Sequence, residues 1–356
     1  MILSQVPGRI CFFGDHQDYL GLPVIAGTID RYIKLEAVPQ KKATFSLVLP
    51  DLGETREIAL SDASPLAPND YYRSALHTLK KEGICPDQGY QVTLKGDLPI
   101  NSGLSSSSAV VVAWIRFLVD AFGKKSSYTA AQIGRWAYES EVLNFNQPGG
   151  MMDQYTIAQG GLGFLETTVG DWTPLTPKLG PLVVAVSGIE KQTLGVLARA
   201  KNDALEALAI LQKKVPDFDL YQVDKTSYAR YKTLLPVALQ PFWYATVENY
   251  LITRAAAQEL QKPTPDTHVL GALMNAHQHI LKTCIQNTPK PMDTMMTAAL
   301  KAGAIGAKIV GSGGGGAMVA MVPESALDDV CKAFVSQGAT AAFPVQLTTA
   351  TDVYSR

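Results

Sequence analysis

The stretch from Pro99 to Ala109, PINSGLSSSSA, runs without a break into the apolar segment Val110 to Ile115. A turn that feeds a helix leaves the first backbone N–H groups of that helix unpaired, and they point at whatever lies in front of them. Glycine and small hydroxyl residues let a polyanion come close to those groups, which suits a phosphate-bearing ligand. The spacing is neither that of the common P-loop, since no Gly-Lys-Ser/Thr follows a first glycine by five residues, nor GxGxxG. A serine-rich helix cap explains the same residues without any ligand. The rest of the chain has to decide between the two.

At 356 residues, with 47% hydrophobic and 18% charged residues, the chain is globular and long enough for two domains. A formal charge of -1, with basic residues in no run longer than pairs such as Lys41-Lys42 and Lys213-Lys214, gives no general attraction to nucleic acid or to an anionic membrane. Any anion site is therefore local. Cys11, Cys85, Cys284 and Cys331 form no CxxC, so neither a zinc site nor a disulfide framework is expected. They read as buried small hydrophobes in a reducing compartment. MILSQVPGR is not a basic start followed by an apolar run, and the longest apolar segments fall short of the ~20 residues that span a bilayer. A cytoplasmic protein is expected.

The residue pattern is α+β in two halves. Strands are expected over Tyr32 to Val38, Thr44 to Leu49, Tyr90 to Lys95 and Gly163 to Thr167, with helices over Tyr71 to Lys81 and Tyr128 to Leu143, the latter capped by Thr129. Asp171 to Pro181 holds three prolines and little periodicity, which puts the boundary there and gives domains 1–175 and 176–356. The second half opens with a strand at Leu182 to Val186 and continues with helical patterns between Leu194 and Ala302. It closes with strands Ala307 to Val310 and Ala317 to Val322, a helix Glu324 to Gln337 and a strand Ala342 to Leu347.

Four polar clusters carry candidate chemistry. PGRICFFGDHQDYLG, residues 7–21, packs Arg9, Asp15, His16 and Asp18 around Gly14, which suits a turn offering hydrogen bonds to a polyol. A solvated loop with a local Arg-Asp pair is the plainer alternative. GGMMDQ, residues 149–154, sets the Asp153 carboxylate among glycine and apolar neighbours, where it orients or deprotonates a hydroxyl or simply caps a helix. GSGGGGA, residues 311–317, lets backbone lie directly against a ligand, or forms a flexible hairpin. In AYESEVL, Glu139 or Glu141 offers one carboxylate to a magnesium ion, although each reads equally as an ordinary surface helix residue. His277 and His279, two residues apart on a helix, face different ways and are not expected to share a metal.

In this order the segments resemble the GHMP kinases, and within them the galactokinases. PINSGLSSSSA resembles the family's central phosphate loop, GGMMDQ the segment with its acidic catalytic residue, and KIVGSGGGGAMVAMV, residues 308–322, its C-terminal glycine motif. GRICFFGDHQDY, LMNAHQHI and AGAIGAKIVGSGGGG look galactokinase-like. The resemblance implies the two-domain GHMP kinase fold: an N-terminal domain like ribosomal S5 domain 2, a ferredoxin-like α+β C-terminal domain, and the active site in the cleft between them.

It also implies roles. Gly103, Leu104, Ser105, Ser106, Ser107 and Ser108 wrap the phosphates of ATP, and Ser107 with Glu141 holds Mg2+. Asp153 is the base or orienting carboxylate for the anomeric hydroxyl. Arg9 beside it neutralises charge on the transferring phosphoryl group. Asp15, His16 and Asp18 bind the other sugar hydroxyls, with Gly150 and Gly314 approaching the substrate. The expected activity is ATP-dependent phosphorylation of the C1 hydroxyl of a monosaccharide. The expected partners are that sugar and ATP, with no nucleic acid and no membrane, in a monomer or homodimer.

The alternatives are a galacturonate 1-kinase, a non-catalytic sugar and ATP sensor, and a mevalonate-type alcohol kinase. Such sensors are damaged in the phosphate loop or at the carboxylate, whereas GLSSSSA and MMDQ stand intact. The chain departs from galactokinases in having Ile10, Cys11 and Phe12 where they have Val-Asn-Leu, and Asp15 where they have glutamate. It also lacks their Asn-x-x-Arg-His pattern after Val186, with Lys191 about where their arginine stands. Galacturonate kinases share the Arg-Ile-Cys start but carry a second histidine where Tyr19 stands.

Overall fold

The structure is a computed structural model, and it describes residues 1–124, 128–190 and 193–349. The chain starts with β1 (Ile2–Phe13), β2 (Val24–Gln40), β3 (Thr44–Leu49), β4 (Glu54–Ala59), α1 (Tyr71–Lys81), β5 (Gly89–Gly96), α2 (Ser106–Phe122) and α3 (Ala130–Glu141). It continues with α4 (Met152–Gln159), β6 (Leu162–Glu166), β7 (Asp171–Leu175) and β8 (Leu182–Val186). Then follow α5 (Thr193–Lys214), α6 (Lys225–Lys232), α7 (Gln240–Leu260), α8 (Thr267–Ile280), α9 (Lys290–Lys301), β9 (Gly306–Ile309), β10 (Ala317–Met321), α10 (Leu327–Ser336) and β11 (Ala341–Val345).

Strands β1 to β7 make one sheet in the order β4-β3-β5-β2-β6-β7, with β1 paired to β2. β3 and β5 run parallel, and the other pairs in this sheet are antiparallel. The second sheet, β11-β8-β10-β9, is antiparallel throughout. The chain then returns to the first sheet, where Asp30 N donates to Gln346 O at 3.0 Å and Thr348 N to Thr28 O at 2.9 Å.

Two segments differ from their sequence reading. Residues 7–13 are strand, not part of a polar turn: β1 is buried on both faces from Val6 to Phe13, so it shows no alternation, and its register shifts between Pro7 and Gly8. Asp171 to Leu175 also pairs as a strand. β7 lies at the sheet edge, where the missing N–H of Pro174 costs no ladder bond. Of the cysteines only Cys11 is buried; Cys85 is exposed and the other two are half-buried.

Helix α2 is apolar nearly all round because it runs through the core, buried from Ser108 to Val119 apart from the partly buried Val110. Trp114, fully buried, meets Phe45, Phe117 and Tyr72 at centroid distances of 5.1, 5.2 and 5.5 Å. A helix anchored in this way cannot swing, so its N-terminus stays aimed where the core puts it.

Candidate active site

Arg9 is placed by the irregularity in β1. A Cβ on Gly8 would come within 2.3 Å of a Leu98 methyl and 3.0 Å of Leu104 O, so only glycine lets the strand press against the serine loop. The next residue then donates its backbone N–H to Leu104 O at 3.2 Å. From there the Arg9 side chain forks onto Asp153, Nε to Oδ1 at 2.8 Å and Nη2 to Oδ2 at 2.7 Å, while Nη1 donates to Gly103 O at 2.8 Å. The partner of Arg9 is thus 144 residues away, and the local Arg-Asp pair that the sequence allowed does not form. Burial opposes the Arg9 charge, but the Asp153 carboxylate outweighs it and holds the guanidinium above its ordinary pKa. Asp153 sits in the first turn of α4 without capping it.

The serines of the loop do not cap their helix either. Ser105 occupies the N-cap of α2 in a left-handed conformation, φ 58°, and makes no side-chain cap bond. Its hydroxyl instead donates to Asp153 Oδ2 at 2.5 Å. A non-glycine residue held at positive φ stores strain that the surroundings must impose. Here the strain turns the serine hydroxyl to the carboxylate and leaves the first N–H groups of α2 facing the cleft, the anion-receptive arrangement of a helix N-terminus.

Glu141 is buried at the end of α3. Its Oε1 accepts from Ser107 Oγ at 2.8 Å and its Oε2 from Gln154 Nε2 at 2.7 Å. Burial raises its pKa, and the hydrogen bonds from Gln154, Ser108 and Ser107 work against that rise. Glu139, in contrast, points outward to Lys81 at 2.7 Å. No cluster of three or more metal-ligating side chains occurs among the described residues. One carboxylate beside a serine hydroxyl and the phosphate loop nevertheless fits magnesium, which keeps most of its waters and takes its remaining ligands from substrate phosphates.

The turn after β1 brings Asp15, His16 and Asp18 to the other end of the cleft, but in different states. Asp15 is buried and already spent: Oδ2 pairs with Lys308 Nζ at 2.6 Å and Oδ1 accepts from Gly311 N at 3.0 Å. Burial works against its charge, and Lys308 more than compensates, so its pKa lies below the ordinary value. His16 Nε2 donates to Ser312 O at 2.9 Å, and its Nδ1 lies 3.1 Å from the Tyr19 hydroxyl. Asp18 lies so close to Gly150 that a Cβ there would fall 2.1 Å from Oδ2, so a side chain at that position would displace the Asp18 carboxylate.

Burial, and after it the neighbouring Asp153 carboxylate, push the Asp18 carboxyl up to about 6. A carboxylate raised in this way binds its proton more tightly in the folded than in the unfolded chain. Its stabilising effect is complete below the ordinary carboxylate range and is lost as pH rises through about 6. Asp18→Asn is therefore expected to stabilise the protein at pH 8, on the order of 2 kcal/mol, and not at pH 4. Thermal unfolding at the two pH values checks this, and an equal effect at both contradicts it.

Arg9, Asp15, His16, Asp18, Gly103, Ser105 to Ser108, Glu141, Gly150 and Asp153 all line one cleft of about 340 Å3. Two residues expected at the site are placed differently. Leu104 is buried in the core, and it is its carbonyl that serves the site, through Arg9. Gly314 donates to Asn287 O at 2.6 Å, and Gly313 is pressed against Asn287, so the glycine run packs inward while Gly311 and Ser312 line the cleft. Lys191 lies outside the described residues. His277 is fully buried and His279 exposed, as their spacing implies.

Lys308 and Ser105, the latter as a partner of Asp153, are the residues whose parts the sequence reading missed. A single lysine in the otherwise apolar run AGAIGAKIV was the available signal for the first. The second depends on a backbone conformation that no pattern encodes.

An anion-receptive helix start, an Arg-clamped carboxylate and a polar pocket facing each other across one cleft define a small-molecule phosphotransferase. Comparison with known proteins agrees: residues 70–161 match the N-terminal domain of the GHMP kinases and residues 256–340 the GHMP kinase C-terminal domain. The chain belongs to the GHMP kinases and is an enzyme of that kinase family. It is 28% identical to the galactokinase of Enterococcus faecalis, over 90% of this chain and 86% of that one. It is 26% identical to the mevalonate kinase of Thermococcus gammatolerans, over 95% and 94%. The fold matches that of Lactococcus lactis galactokinase complexed with galactose, with a TM-score of 0.85 at 21% identity, covering 98% of this chain and 94% of the other.

Proposed function

We propose that this protein transfers the γ-phosphoryl group of ATP to the anomeric C1 hydroxyl of a neutral monosaccharide of the galactose type. The observation that carries this reading is the Arg9–Asp153 fork, which stands between the start of α2 on one side and the Asp15–Asp18 turn on the other. Galactokinase relatives support the choice of sugar.

ATP lies with its phosphates over Gly103 and Ser105 to Ser108. An apolar recess of about 310 Å3, sharing Tyr71, Asn101, Ser106 and Ser107 with the cleft and floored by Trp114, takes the base. Ser107 and Glu141 would hold Mg2+, which would supply charge neutralisation of the phosphates. Asp153 accepts the proton of the C1 hydroxyl as its oxygen bonds to the γ-phosphorus and the bond to the bridging oxygen of ADP breaks. Ser105 and Arg9 fix the orientation of that carboxylate. Phosphoryl transfer asks little covalent work of a protein, so positioning and charge stabilisation provide the catalysis.

Charge favours a neutral sugar over a uronate. Among the described residues lining the cleft, Arg9 is the sole Lys or Arg, and it is committed to Asp153, whereas Asp15, Asp18, Glu141 and Asp153 are all acidic. A further carboxylate brought in by the substrate meets no uncommitted Lys or Arg among those described residues.

ADP release with ATP and Mg2+ across galactose, other neutral hexoses, galacturonate and mevalonate tests the reading. Turnover of a neutral hexose is expected, with loss of the reducing end in the product because C1 is the acceptor. A uronate or mevalonate turned over faster than every neutral sugar, or a product that keeps its reducing end, refutes it.

A further inference from the structure

Lys308 is a charged residue with no exposed surface, reaching from β9 of the second sheet under β1 of the first. All three ammonium protons are used, on Asp15 Oδ2 at 2.6 Å, Cys11 O at 3.0 Å and Ile309 O at 2.7 Å. Asp15 spends its other oxygen on Gly311 N. The next residue, Ser312, offers its carbonyl to His16 Nε2 at 2.9 Å and to Asn287 Nδ2 at 3.0 Å. One line of hydrogen bonds therefore runs from Lys308 through Asp15 to the Gly311–Ser312 turn and on to His16. It binds the glycine motif of one sheet to the polar turn of the other. The remaining titratable neighbours cannot replace the lysine: His277 is held neutral, its pKa pushed down to about 3 by burial and then by Lys308, and burial pushes the Cys11 thiol up.

We propose that Lys308 is a positioning residue of the sugar half of the cleft, fixing Asp15 and through it the Gly311–Ser312 turn and the His16 ring. Asp15 then serves the substrate as a brace and not as a free acceptor. A buried ion pair on its own contributes little net stability, because desolvation offsets the attraction. What the pair supplies here is the geometry of two cleft-lining segments. This inference rests on reading that end of the cleft as the sugar site.

The test compares Lys308→Met, Asp15→Asn and the double variant by steady-state kinetics, at a temperature where circular dichroism shows each to be folded. Lys308→Met is expected to raise the sugar KM by roughly 10- to 100-fold and to leave the ATP KM within about twofold, since the phosphate loop is held independently by Arg9. Asp15→Asn moves the sugar KM in the same direction, and the double variant is no worse than the worse single one, because the two residues act through each other. Should Lys308→Met fail to fold, the double variant, with neither buried charge left unpaired, carries the test and is expected to show the same sugar KM rise.

A sugar KM within about twofold of wild type in the folded variants, sugar and ATP KM rising together, or single effects that multiply overturns the proposal. A wild-type protein that turns over no sugar removes the sugar-kinase reading and this inference with it. A wild type that turns over sugar beside variants with unchanged sugar KM removes this inference alone.

Discussion

Asp153→Asn is expected to lower kcat by roughly 10^3-fold while the protein stays folded and still binds its sugar. Three groups converge on this carboxylate: both forks of Arg9 and the Ser105 hydroxyl. Together they turn the face of the side chain that remains free toward the cleft, the geometry required to receive a proton from a substrate hydroxyl. An amide in its place keeps the volume and one acceptor oxygen but cannot take that proton, and it turns an NH2 group toward Arg9 or Ser105. The loss therefore falls on kcat, and binding of the sugar, proposed to be made through the Asp15–Asp18 end, is expected to survive. Steady-state kinetics paired with calorimetric sugar binding read the two separately. A kcat within tenfold of wild type contradicts a role for Asp153 in the proton transfer.

Arg9→Lys comes next in size, with kcat reduced by roughly 10^2- to 10^3-fold. The guanidinium makes three directed bonds at once, two to Asp153 and one to Gly103 O, and a lysine ammonium on a longer flexible stem cannot reproduce that fork. Net charge is conserved, so any loss reports on geometry: the angle of the Asp153 carboxylate and the height of the loop at Gly103. Both substrates are affected, because Arg9 ties the phosphate loop to the carboxylate. The ATP KM is therefore expected to rise along with the fall in kcat, in contrast to Lys308→Met, which leaves the ATP side alone. A variant with wild-type kcat and wild-type ATP KM contradicts this, and parallel kinetics on both variants separate the two halves of the cleft.

The strands and helices that follow a simple period are legible from residues alone. Tyr71 to Lys81, Thr44 to Leu49 and Leu182 to Val186 form the elements that their spacing implies, with matching ends. Thr129 forms the expected cap, reinforced by Gln132. β1 was not legible, because a strand buried on both faces loses its alternation, and its Pro7-Gly8 kink looks like a turn. β7 was hidden by Pro174, which an edge strand tolerates and a central one does not.

The site divides along the same line. Sequence by itself determined the family, and through that resemblance it pointed to the phosphate loop, to Asp153 as the candidate reacting carboxylate and to Glu141 over Glu139, since the motifs that carry the resemblance are local runs of residue types. Tertiary structure alone decided which charge serves which. Arg9 joins Asp153 across 144 residues and Lys308 joins Asp15 across 293, and a glycine at position 8 or 150 is explained only by the atom that a side chain there would strike. Partners so distant along the chain are chosen by packing, α4 against β1 for the first pair and the second sheet against the turn after β1 for the second, and the energetics of a buried charge depend on what that packing places within about 3 Å of it. For that reason the Asp15 carboxylate reads as a free sugar ligand in the sequence and stands as one end of a brace in the folded protein.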